Sequence, residues 1–86
     1  MIFKTIAVPT TPTDLKTLLG VAQDRCEYGV ALQAPATNAA VVNFGDKGSQ
    51  PAFLPSGGSS DVLPINRLDS LYIVGTSGDD IIVMIF

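Results

Sequence analysis

Leu71-Tyr72-Ile73-Val74-Gly75-Thr76-Ser77-Gly78-Asp79-Asp80-Ile81-Ile82-Val83-Met84-Ile85-Phe86 is the stretch that decides the fold class. Two apolar runs rich in β-branched and aromatic residues flank a short Thr-Ser-Gly-Asp segment. That pattern predicts two strands joined as a hairpin, with glycine available for a positive φ. The second run, Ile81–Phe86, is apolar at every position. It predicts a central strand covered on both faces, because at an open edge such a run invites aggregation. Six residues also fall far short of the roughly 20 that a membrane helix needs.

Upstream the same grammar repeats. Asp61-Val62-Leu63-Pro64-Ile65 reads as a strand, and Asn66-Arg67-Leu68-Asp69-Ser70 as a helical or turn-like corner. Pro55-Ser56-Gly57-Gly58-Ser59-Ser60 is a loop, Ala52-Phe53-Leu54 an edge-like piece, and Ala40–Phe44 another strand closed by Gly45–Ser49. In residues 25–33, Cys26, Tyr28, Val30 and Leu32 alternate with wetter positions, the period of a half-buried strand. One helix is predicted. Thr11 serves as N-cap, Pro12 opens the first turn, Asp14 sits three residues after the cap, and Leu15, Leu18, Leu19 and Ala22 form the stripe. It ends at Gly20 or runs on to Gln23. Residues 2–8 form a first extended segment. The expected fold is mainly β: an antiparallel β-sandwich or jelly-roll-like barrel of six to seven short strands with one short N-terminal helix. Within this single domain, residues 1–24 read as an N-terminal arm and helix, and residues 25–86 as the sandwich body.

Composition narrows function. The chain has 86 residues, 47% of them hydrophobic and only 15% charged. So little charge on so small a body means that either Ser, Thr, Asn and Gly coat the surface or a partner covers part of it. Five basic residues against eight acidic ones offer no stripe for phosphates, so nucleic acid is not an expected partner. Neither a membrane span nor a signal peptide is expected from the run lengths. With no histidine and one cysteine, His-based catalysis, triads and most zinc sites drop out.

Remaining constellations read as structure. Gly45-Asp46-Lys47-Gly48-Ser49 has its lysine before the glycine and leads into a strand, unlike a phosphate loop. Gly75–Ile81 partly fits one calcium-binding nonapeptide, but that chemistry needs stacked copies. Asp79 and Asp80 are neighbours that a strand would send to opposite faces, and Glu27 has no evident carboxylate partner. Cys26 reads as a small buried hydrophobe. No catalytic, cofactor-binding or metal residues are expected, and the chain is not read as an enzyme.

Val41-Val42-Asn43-Phe44-Gly45, Leu54-Pro55-Ser56-Gly57-Gly58-Ser59 and Leu71–Val83 follow in an order that resembles small all-β virion proteins of tailed bacteriophages. The likeness spans residues 26–86. It implies a capsid cement or decoration protein that bridges capsomers, bound to the major capsid protein on the capsid surface after synthesis in the host cytoplasm. A tail or head-fibre module and a small phage-encoded inhibitor are the alternatives. Small size and low charge, with the symmetric shells that the resemblance implies, add the expectation of a homo-oligomer, a trimer at three-fold positions. Its contacts are expected in residues 1–19, with Ile2, Phe3, Ile6, Leu15 and Leu18 as apolar anchors. The arm around Ile2–Ile6 would add a strand to a neighbouring sheet, and the body would fold without it.

Overall fold

The computed structural model describes residues 2–20, 26 and 28–86, Ile2 by its backbone alone. The chain is mainly β, as expected: β1 (Ile2–Ala7), β2 (Thr13–Asp14), α1 (Leu15–Leu19), β3 (Val30–Gln33), β4 (Val42–Gly45), β5 (Ala52–Leu54), β6 (Tyr72–Val74) and β7 (Asp80–Ile85). A 3₁₀ turn, Leu68–Ser70, fills the expected corner before β6. Two antiparallel sheets result, ordered β1-β7-β3 and β2-β6-β4-β5. Together they form a small sandwich.

β7 is central, as its composition predicts. It pairs along its whole length with β1, Ile2 opposite Ile85 through Ala7 opposite Asp80, and on its other side with β3. The expectation of cover on both faces is corrected. Ile81, Val83 and Ile85 are buried, whereas Ile82, Met84 and Phe86 are half-buried. The pleat sends alternate side chains to opposite faces, and only the inner face meets the core.

The predicted hairpin is also corrected. β6 belongs to the second sheet and β7 to the first, so residues 75–79 carry the chain between sheets. Both edges of β7 are taken by β1 and β3, and both edges of β6 by β2 and β4. The crossing is pinned by three backbone bonds: Gly75 N–H to the Pro9 carbonyl at 2.8 Å, Val8 N–H to Asp79 at 3.0 Å, and Asp79 N–H to Thr76 at 3.2 Å.

Other boundaries shift for local reasons. Thr13 and Asp14 pair with Ile73 and Tyr72, so the helix starts later than a Thr11 cap would allow. Asp14 is the cap instead, accepting the Thr17 N–H at 3.1 Å. Gly20, at φ 67°, ends the helix and donates to the Lys16 carbonyl. Ala22 and Gln23 lie outside the described residues. In the 25–33 segment the regular strand begins only at Val30. Gly29 has φ 138°, and the period breaks there: Cys26, Val30 and Leu32 are buried, while Tyr28 is 75% exposed. Residues 61–65 form no regular strand. Leu63 exchanges two backbone bonds with Val30, and Ser60 donates to Leu32, so residues 59–63 line the outer edge of β3.

A single core joins everything. Val42, Phe44, Leu54 and Ile73 of the second sheet meet Val30, Leu32, Ile81, Val83 and Ile85 of the first. Ile6, Val8, Leu15 and Leu19 belong to the same core. The N-terminal segment is therefore built into the sandwich rather than appended to it.

Candidate interaction surface

The polar residues singled out in the sequence are occupied in holding loops. Asp46 Oδ1 accepts the N–H groups of Gly48 at 3.0 Å and Ser49 at 2.9 Å, a self-contained turn with no helix behind it. Asp79 is buried, and its two oxygens accept the N–H groups of Ala39 at 2.8 Å and Ala40 at 3.1 Å. The Cys26 thiol is buried and donates to the Ile65 carbonyl at 3.1 Å; burial pushes its pKa up. Glu27 lies outside the described residues. Among the described residues no three His, Cys, Asp or Glu side chains gather as a metal site would need.

The surface carries more information. On the outer face of the first sheet, Phe3 stands opposite Met84, and Met84 opposite Ala31. Phe3 is 64% exposed. Ala31 is buried and Met84 half-buried, so this row crosses all three strands without a polar side chain. Val62, 48% exposed, extends it: a methyl group added at Gly29 would meet Val62 Cγ1 at 2.9 Å, which puts that side chain over the glycine. The next row, Thr5, Ile82 and Gln33, is mixed but uncharged. Asp80, opposite Ala7, marks the charged end of the face. Lys4 belongs to the inner side, where its Nζ donates to the Leu19 carbonyl at 2.7 Å and tethers the end of α1 to β1.

The outer face of the second sheet is more broken. Phe53, 60% exposed, and Val74 flank Asn43, whose amide donates to the Gln50 carbonyl at 3.1 Å.

Of the four expected anchors whose side chains are described, Phe3 alone is strongly exposed. Ile6 and Leu15 are core residues: the strand alternation turns Ile6 inward beside Ile81, and α1 lays Leu15 against the 3₁₀ turn and β2. Leu18 is half-buried and packs on the core. Ile2 is placed opposite Ile85 by its backbone, and its side chain lies outside the described part. The sequence reading missed Met84, Ala31 and Val62. One signal was present, since alternate members of the apolar run 81–86 must point outward; only the register brings them beside Phe3.

Comparison of the chain with family models, with curated proteins and with solved structures finds no match.

Proposed function

We propose that this chain is a non-catalytic structural module that docks onto a larger assembly through the outer face of its first sheet. The observation that carries the reading is the uncharged row Phe3–Met84–Ala31 with Val62 beside it, on a chain with 15% charged residues. Covering such a row gains about 25 cal/mol per Å² of apolar surface and strands no charge. The likeness of residues 26–86 to small virion proteins supplies the assembly: the head of a tailed phage, with the major capsid protein as partner and cement or decoration as the role.

Co-sedimentation with heads of the encoding phage, stripped of this protein, tests the reading. Wild type pellets with the heads, Phe3→Asp and Met84→Asp do not, and Phe53→Asp on the opposite sheet binds like wild type. Cryo-electron microscopy of the decorated particle then places the density on the shell. Density on the tail, or equal binding by all three variants, overturns it.

A further inference from the structure

The strand edges of this sandwich are unequal. β5 lies between Pro51 and Pro55, β2 is two residues long, and β3 has residues 59–63 along its outer side. β1 is six residues long and has no strand on its outer side among the described residues. Its polar groups can be assigned by alternation. Val8 donates to Asp79, its register partner, so the even residues of this segment bond inward to β7. On the other side of β7, Phe86 donates to Gly29 and Tyr28 to Phe86, consistent with that phase. The N–H and C=O groups of Phe3, Thr5 and Ala7 therefore point out of the sheet edge, unmatched by strand or loop among the described residues.

We infer that β1 pairs antiparallel with β1 of a second copy, about a two-fold axis passing through Thr5. In that register Phe3 faces Ala7 of the second copy and Thr5 faces its own equivalent. All three outward N–H groups and all three outward C=O groups of each chain are then matched. The neighbouring registers fail. Moving the axis to Lys4 sets two lysines directly opposite; moving it to Ile6 sets Phe3 against Pro9, which has no N–H. The pairing is neutral, with no like charges facing. It also sets the two outer faces side by side on one continuous sheet, so the dimer offers the proposed docking face twice. A three-fold ring made by strand addition would need two different open edges, whereas one open edge closes on itself. The inference does not depend on what the docking face binds.

Sedimentation equilibrium at millimolar concentration should give twice the 9.0 kDa chain mass. Thr5→Pro removes an N–H that points away from β7, so it should keep the wild-type circular dichroism and weaken the dimer at least about tenfold. A nitroxide on Thr5→Cys gives a second readout, with buried Cys26 left in place. Labels sharing the axis, on Cα atoms about 5.5 Å apart, should show strong dipolar broadening. The same label on Phe53→Cys should show none. A wild type that stays monomeric at millimolar concentration overturns the inference, as does a dimer without broadening at residue 5 or one untouched in a folded Thr5→Pro. A wild-type monomer whose β1 instead captures a strand of another protein also overturns it.

Discussion

The Asp79 carboxylate joins the crossing between the sheets to the loop before β4 through the Ala39 and Ala40 N–H groups. Beside it, Asn38 exchanges two bonds with the Asp80 backbone, at 2.8 Å and 2.9 Å. Both side chains are buried, so a lost partner leaves backbone groups without water. Asp79→Ala should lower the unfolding free energy by about 2–4 kcal/mol, read from the urea midpoint, while Asp80→Ala costs under about 1 kcal/mol. Cys26 carries a pH dependence. Burial disfavours the thiolate, so the folded-state pKa lies above the unfolded one. The folded protein then holds its proton longer. The stability this contributes is full below the unfolded thiol's pKa, about 8.5, and is lost as pH rises through the folded value. Urea midpoints of wild type should fall more steeply than those of Cys26→Ala above that pH. Equal slopes would mean that the thiol titrates alike in both states.

β7 shows how much an apolar run can conceal. A strand apolar throughout reads as covered twice, yet here Val83 is fully buried and Ile82 half-buried on the other face. Val83→Asp puts an unpaired carboxylate into the core and should abolish folding, because several kcal/mol is a large part of a total of about 5–15. Ile82→Asp lies in the row of Thr5 and Gln33 and should fold, with a loss of about 1–2 kcal/mol in the urea midpoint. Soluble yield and circular dichroism separate the two outcomes. Sequence alone located β7, β4, β5 and the corner at residue 68, because local turn chemistry and period decide those features; of the two helix ends it allowed, the structure takes Gly20. It placed β6 and β7 in one hairpin because the signal Gly-Thr-Ser-Gly-Asp is local, whereas the choice of sheet depends on β1, contributed by residues 2–7 at the other end of the chain. Gly29 hid a second fault. Its positive φ resets the alternation, exposing Tyr28 where the period called for burial. The proposed docking row is legible only in part for the same reason: Phe3, Met84, Ala31 and Val62 come together through pairings between distant segments.

Continuity between the N-terminal segment and the core decides how the surface can be studied. If residues 1–19 were an arm, deleting them would leave a folded body that had lost its partner. Instead β1 is one of the two strands flanking β7, and Lys4 reaches across to the end of α1. Ile6, Val8, Leu15 and Leu19 are buried with the residues of both sheets. Burying each such side chain is worth about 1.5–3 kcal/mol, so four of them match the net stability of a small domain. Removal also exposes the apolar edge of β7, a template for aggregation. A chain lacking residues 1–19 should therefore be unfolded or insoluble, with no cooperative transition in urea and collapsed amide dispersion in its NMR spectrum. A cooperative transition in the truncated chain would restore the arm. Loss of the proposed head binding by a truncation would therefore report unfolding, not loss of a contact. The informative variants keep the core and change only what faces outward: Phe3 and Met84 for the face, Thr5 for the edge. Phe3→Asp should abolish docking while leaving dimer mass within experimental error, and Thr5→Pro should weaken the dimer while leaving the row of Phe3 and Met84 intact.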